Sequence, residues 1–369
     1  MKILIITPSY KPAFVYGGPI FSVSYLSEEL SRTNEVLVLS TNANGQDVLD
    51  FPNTSTQNID GVNVKFFTRQ TKDHTHLSFD LLKYLWQNGN QYEVIHIQSW
   101  WNLVALFSAL ICKIKGWKYV ISPRGMLSPY TYYSSVLKRI LHFLLGNMLL
   151  KSSVIHATSS DEALKIEDLN SKYIIKVIPN FVKLETPILT KSLNRTNQLL
   201  FLSRIHPKKG LDILIKSLPF LAFDYHLNIV GDGDSIYIES LKCLAEALNI
   251  QNKISWHGSI YGDRKFEMYA QADIMILPSH DENFANNVLE SLLMGTPVII
   301  TENVGLATFV IQNNLGFVYK GGEIQLSDCI NKAIENKIYI KNINKNARGI
   351  VLDKFNSMKL IEEYILLYK

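Results

Sequence analysis

The chain has little cysteine: Cys112, Cys243 and Cys329 are spread too far apart for a disulfide framework or a metal-ligand pattern. They read as free thiols in a reducing compartment. No apolar run reaches the ~18 residues of a membrane span. Met1 leads straight into Lys2-Ile3-Leu4-Ile5-Ile6, without the cleavage pattern of a secretory leader. The expectation is a cytoplasmic chain, with peripheral contact at the inner face of the cytoplasmic membrane left open. A Gly-x-Gly-x-x-Gly is also missing, which argues against a dinucleotide dehydrogenase. Strong net charge is missing as well. The formal balance of +4 suits anionic substrates or an anionic membrane surface without selecting either. It gives no reason to expect a nucleic-acid partner.

What is present is a folded, two-domain length of 369 residues, 47% of them hydrophobic. Strands are expected at Ile3–Ile6, Val36–Leu39, Val62–Phe67, Val94–Ile97, Tyr119–Ser122 and Val154–Thr158, with helical stretches between most of them. That alternation predicts a mostly parallel α/β sheet. Residues 184–197 are polar and aperiodic and read as a linker between a first domain (1–183) and a second (198–350). An amphipathic tail, 351–369, closes the chain.

The most informative stretch is Leu277-Pro278-Ser279-His280-Asp281-Glu282-Asn283-Phe284-Ala285-Asn286-Asn287-Val288-Leu289-Glu290. An apolar strand ends at Pro278, a polar loop follows, and a helix begins near Ala285. Gly295-Thr296-Pro297 stops that helix, and Val298-Ile299-Ile300 reads as the next buried strand. A loop at the carboxyl end of a strand is where open α/β sheets bind ligands. The N–H groups near Ala285 to Val288 form a ready phosphate site. Glu282 and Glu290 lie on either side of it and could accept from sugar hydroxyls. On spacing alone, two such glutamates describe a helix-start charge and a solvated face equally well.

Upstream, Leu202-Ser203-Arg204 leads into Ile205-His206-Pro207-Lys208-Lys209-Gly210. A strand-end Arg204 and the nearby Lys209 can clamp a diphosphate. The Asp-x-Asp of Gly231-Asp232-Gly233-Asp234 could in principle hold a divalent metal. It stands between a strand and a helix, where Asp234 suits the N-cap, so no metal is assigned.

These segments (Glu282-Asn283-Phe284, Glu290, Gly295-Thr296-Pro297-Val298 and Arg204 with Lys209-Gly210) resemble the family-four retaining glycosyltransferases. That resemblance implies the GT-B fold: two Rossmann-like domains facing across a cleft, with C-terminal helices returning to the first domain. It implies a nucleotide-diphosphate sugar as donor and a saccharide or lipid-linked saccharide as acceptor, with no metal or other cofactor. It implies that Glu282 contacts the transferred sugar, Glu290 holds the ribose, and Arg204 and Lys209 stabilise the departing diphosphate. Phe284, Ala285, Asn286 and Asn287 join the donor site, His257-Gly258 lies near the base, and Gly17-Gly18 lies beside the diphosphate. The departing phosphate would itself take the acceptor proton, with retention of configuration.

Ser122-Pro123-Arg124-Gly125-Met126-Leu127 resembles a signature of one branch of this family, concerned mostly with surface polysaccharide. Arg124 stands near a place where many other branches carry histidine. It reads as an acceptor or donor anion contact, or else as half of an ion pair. His96 is a second candidate contact, although His96 and His156 read more readily as satisfied strand-end histidines. Lys176-Val177-Ile178-Pro179-Asn180 resembles the family's domain-closing segment, with Phe181 where glycine is usual. The apolar stretch Val136–Lys151 has cations near both ends. Its composition favours burial in the core over an interfacial position. Two rivals use the same architecture: a nucleotide-sugar epimerase and a non-catalytic subunit that only binds sugar nucleotides.

Overall fold

The computed structural model describes residues 1–73, 75–182, 184, 186–187, 189 and 197–369. The chain forms two compact units, Met1–Val182 with Asn356–Lys369, and Lys183–Phe355. The expected linker, 184–197, falls mostly outside the described residues.

The first unit is built on an eight-stranded sheet. Its strands are β1 (Lys2–Thr7), β2 (Glu35–Thr41), β3 (Thr56–Ile59), β4 (Val62–Phe67), β5 (Val94–Gln98), β6 (Tyr119–Ser122), β7 (Val154–Ala157) and β8 (Ile174–Val177). They lie in the order β8-β7-β6-β5-β1-β2-β4-β3, parallel except for the β3–β4 pair. The central strands are buried on both faces because helices cover both faces, as parallel sheets require. Ile3 and Ile5 enter one core, and Leu4 and Ile6 the other. After β1 the chain builds outward through β2 and returns to place β5 on the other side of β1. The carboxyl ends of β1 and β5 therefore form the switch point.

The second unit has six parallel strands: β9 (Asn197–Leu202), β10 (Tyr225–Val230), β11 (Ile254–Trp256), β12 (Ile274–Leu277), β13 (Val298–Thr301) and β14 (Gly316–Tyr319). The order β11-β10-β9-β12-β13-β14 puts its switch point between β9 and β12. The helices that matter below are α1 (Gly18–Ser31), α2 (Asp263–Gln271), α3 (Asn286–Leu293), α4 (Lys337–Lys354) and α5 (Ser357–Tyr368).

The boundary expected at 351 moves. Residues 351–354 complete α4, where Val351 is fully buried in the second unit. The return to the first unit starts at Asn356, whose side chain accepts from the N–H groups of Met358 and Lys359 and so starts α5. Phe181, which stands where the resembled family usually has glycine, is buried and packs on Tyr364 of α5 with ring centroids 5.6 Å apart. A glycine there would leave a cavity under the returning helix.

The stretch Val136–Lys151 corrects the core expectation. It is helical with a π-type turn at His142–Gly146, and it buries His142, Gly146, Leu149 and Leu150. Val136, Leu137, Ile140, Phe143 and Leu144 are exposed instead. A single sequence shows that a helix is apolar all round but not that no partner covers one side.

Candidate active site

In the second unit, two loops meet at the carboxyl ends of β9 and β12. The loop after β9 tightens into a single 3-10 turn, Pro207–Lys209, capped by the His206 ring, whose Nδ1 accepts from the Lys208 N–H at 3.1 Å. Gly210 follows at φ +69°, and a Cβ there would stand 2.1 Å from the Pro278 carbonyl oxygen. Only glycine combines that backbone with that approach. The contact locks the two loops together. The Lys208 carbonyl accepts from the His280 N–H at 2.9 Å and from the Ser279 hydroxyl at 3.0 Å.

The β12 loop is pinned from its other side as well. The Glu282 N–H donates to the Asn303 carbonyl at 3.1 Å, and its carbonyl accepts from Gly305 N–H at 2.8 Å. Thr301 Oγ1 donates to the Ser279 carbonyl. A polar loop held at so many points keeps its side chains aimed without ligand.

On this frame the charges pair in parallel. Lys209 Nζ bonds Glu282 Oε2, and beside it Lys208 Nζ lies 2.8 Å from Asp281 Oδ2. Arg204 stands exposed just upstream. His206 is pushed below its ordinary range by burial and then by the charges of Arg204, Lys209 and Lys208.

Phe284 is buried and packs edge-on against Phe355 at 6.0 Å, fixing the loop's exit. Ala285 then takes a left-handed conformation, φ 72° and ψ 73°, as the N-cap of α3. A non-glycine residue rarely adopts it. Here it turns the chain so that the N–H groups of Asn286 and Asn287 come before the first bond of the helix, Val288 N–H to Ala285 carbonyl at 3.0 Å. The Asn287 side chain is occupied, its Nδ2 donating to the Leu202 carbonyl at 2.8 Å. That bond ties α3 to the end of β9.

Glu290 is not on a solvated face. Its two oxygens meet Lys265 Nζ at 2.7 Å and the buried Tyr269 hydroxyl at 3.0 Å, both from α2. Burial, then the charge and hydrogen bond of Glu290, push Tyr269 well above its ordinary range, so it remains a donor. A carboxylate offers about four acceptor positions, so two remain for a ligand's hydroxyls. Neither Lys265 nor Tyr269 was signalled by the sequence, because their partner lies on a different helix.

His257 and Gly258 sit exposed after β11. His257 Nε2 lies 2.9 Å from Asn228 Oδ1, and the Gly258 carbonyl accepts from Gly231 N–H at 2.8 Å. The Gly-Asp-Gly-Asp turn is a structural device: a Cβ at Gly231 would stand 1.8 Å from the Ser203 carbonyl oxygen. Asp234 Oδ1 caps its helix from the Tyr237 N–H at 2.9 Å, and Asp232 Oδ1 accepts from Gly233 N–H. Both carboxylates already have backbone donors to hold.

The first unit's switch point is assembled differently. Gly17, at φ 70°, is the N-cap of α1 and offers no side chain, and Gly18 is the first helical residue. Arg124 reaches α1 from the end of β6. Its Nη1 donates to Ser22 Oγ at 2.9 Å and Asn180 Oδ1 at 2.7 Å, and its Nε to Gln98 Oε1 at 2.7 Å. All three acceptors are neutral, so the ion-pair alternative for Arg124 does not hold among the described residues.

His96 needs correcting as a substrate contact. The ring is fully buried, with Nδ1 2.7 Å from the Tyr368 hydroxyl and Nε2 2.6 Å from Ser122 Oγ. Ser122 Oγ continues to His156 Nδ1 at 2.6 Å, and His156 Nε2 lies 2.8 Å from the Ile178 carbonyl oxygen. Burial, followed by its charged neighbours, takes His96 well below its ordinary range and His156 to about 3. These neutral rings join β5, β6 and β7 to α5 and have no nitrogen left for a ligand.

A family described as Glycosyl transferases group 1 matches residues 189–350, and one described as Glycosyltransferase Family 4 matches residues 16–186. An uncharacterized glycosyltransferase of Methanocaldococcus jannaschii is 25% identical over 172 residues, 46% of this chain and 44% of that one. The first curated relatives are thus matched over less than half their own length. Among solved structures, Anabaena HepE in complex with UDP-glucose superposes with TM-score 0.77 at 22% identity, covering 99% of this chain and 98% of that one. WaaG, a glycosyltransferase involved in lipopolysaccharide biosynthesis, gives 0.71 at 15% identity, with 98% of each chain covered. At such identities the structures share the fold.

Proposed function

The chain belongs to the glycosyl transferases group 1, built on the GT-B fold, and from that premise we propose that it transfers a sugar from a nucleotide-diphosphate sugar to a saccharide hydroxyl. The acceptor we propose is a lipid-linked saccharide of cell-surface polysaccharide assembly, as the role printed for WaaG suggests. The observation that carries the reading is the convergence of Lys209, Glu282 and the first turn of α3 at the β9/β12 switch point.

The acceptor hydroxyl attacks the anomeric carbon as the bond to the β-phosphate oxygen breaks. Negative charge then grows on that phosphate. Lys209, Arg204 and the N–H groups of Asn286 and Asn287 stabilise it, and preorganised donors act most strongly on charge that develops in the transition state. The departing phosphate takes the acceptor proton on the same face, and configuration is retained. Glu282 orients the sugar, exchanging part of its bond to Lys209 for sugar hydroxyls. Glu290, held by Lys265 and Tyr269, accepts from the ribose, and His257-Gly258 lies beside the base. In the first unit Gly17-Gly18 and Arg124 are anion contacts. Transfer proceeds without a divalent metal, a reading supported by the backbone donors that Asp232 and Asp234 already hold.

A panel of UDP- and GDP-sugars screened for thermal stabilisation identifies the donor. Turnover of that donor with and without saccharide acceptor then tests the reaction. Transfer only in the presence of acceptor supports the reading. Conversion of donor without acceptor would make the chain an epimerase, and binding with no turnover a binding subunit.

A further inference from the structure

The segment from Tyr130 to Lys151 is two-sided. Its inner face is tied to the first unit by aromatic contacts: Tyr132 lies 5.2 Å from His142 and 6.4 Å from Trp101, and the Tyr173 hydroxyl lies 3.2 Å from His142 Nε2. The outer face carries Tyr133, Val136, Leu137, Ile140, Phe143 and Leu144 into solvent, Phe143 at 81% exposure and Leu137 at 64%. Positions 136, 137, 140, 143 and 144 recur at helical spacing, so they form one continuous stripe. A contiguous apolar stripe on a firmly held element marks an interaction surface.

The charge around it selects the partner. No aspartate or glutamate occurs between Glu93 and Asp161, whereas Lys138, Arg139 and Lys151 belong to the segment itself and Lys113 and Lys115 precede it. Lys113 Nζ donates to Ser152 Oγ, which places that cation at the segment's far end. A second copy of the chain packed here about a two-fold axis would set Lys138 and Arg139 against their own counterparts. A surface that is anionic at its face and apolar beneath answers both features. No helix among the described residues is long and apolar enough to cross a membrane. The segment would therefore lie along the surface, its tyrosines at headgroup depth.

We infer that this face docks the first unit on an anionic lipid bilayer, with Phe143, Leu144 and Leu137 entering the acyl boundary and Lys138, Arg139 and Lys151 meeting the headgroups. The inference goes beyond sugar transfer and can be tested with neither donor nor acceptor present. The whole protein is sedimented with phosphatidylcholine vesicles, with or without phosphatidylglycerol, at low and high salt. It should pellet with the anionic vesicles only and come off as salt rises. Phe143→Ser with Leu144→Ser should weaken binding about 10-fold or more, and Lys138→Glu with Arg139→Glu should do the same by the electrostatic route. The Phe143→Ser, Leu144→Ser pair should unfold at the wild-type temperature, because both side chains face solvent, and the charge pair should lose little, only the Lys138 bonds to the Thr131 carbonyl and Ser134 Oγ. Equal binding to neutral vesicles, or undiminished binding by both double variants, would overturn the inference. So would a concentration-dependent dimer in sedimentation velocity that the Phe143→Ser, Leu144→Ser pair disperses.

Discussion

The two switch points share a topology and differ in how they handle charge. At β9/β12 each named carboxylate has a cationic partner from another loop or helix: Glu282 with Lys209, Asp281 with Lys208, Glu290 with Lys265. At β1/β5 Arg124 is held by neutral oxygens, and the histidines behind it are neutral and sealed. Pairs within reach of solvent can exchange partners when a diphosphate and its hydroxyls arrive. A neutral, dry network cannot, and its value is to fix β5, β6 and β7 against α5. The same sheet order thus serves in one unit as a set of replaceable ion pairs and in the other as a clamp around an arginine whose hydrogen-bond acceptors are neutral.

The sharpest break in this comparison is Lys209→Met, which removes a cation that the proposed mechanism sets against the developing phosphate charge. We expect kcat to fall about 10²-fold or more, and Arg204→Ala to act in the same direction. A rise in KM at unchanged kcat would instead assign both to uniform binding. Glu290→Gln should be milder, raising donor KM about tenfold through a weakened ribose contact. Because Lys265 and Tyr269 hold the carboxylate in place, Lys265→Met should show part of that same KM effect. Equal kcat/KM in wild type and both variants would remove Glu290 from the donor site.

In the first unit Arg124→Gln should raise acceptor KM while leaving donor KM untouched. The reverse pattern would move Arg124 to the donor.

A further effect, independent of turnover, is on stability against pH. His96 and His156 have folded-state values below those of the unfolded chain, so the unfolded chain takes up protons first as pH falls. Their contribution is therefore complete above about pH 6.5 and is lost on acidification, at about 1.4 kcal/mol per pH unit for each histidine. Thermal unfolding between pH 7.5 and 5 measures it. A flat profile would mean that the rings are not sealed.

What the sequence made legible was local. Pro278, Gly295 and the apolar runs on either side mark a strand, loop, helix and strand, and they carried Glu282 and Glu290 with them. The central strands were equally plain because both of their faces are buried. The edge strand Thr56–Ile59 escaped notice because it is half exposed and shows no apolar run, and Ile174–Val177 because it is short and largely exposed. The partners of Glu290 and the packing of Phe181 on Tyr364 depend on where distant helices land, and no spacing encodes that. The Val136–Lys151 segment was misjudged for a related reason: composition reports how apolar a helix is, while exposure depends on what the fold places next to it.

The central claim is that the second unit binds the diphosphate with its own cations and helix N-terminus. Calorimetric titration of UDP and GDP into the whole protein in EDTA tests it most directly. We predict metal-free binding of one nucleotide that Lys209→Met weakens by at least about tenfold. Binding that appears only when Mn²⁺ or Mg²⁺ is added, or that Lys209→Met leaves unchanged, would contradict the account.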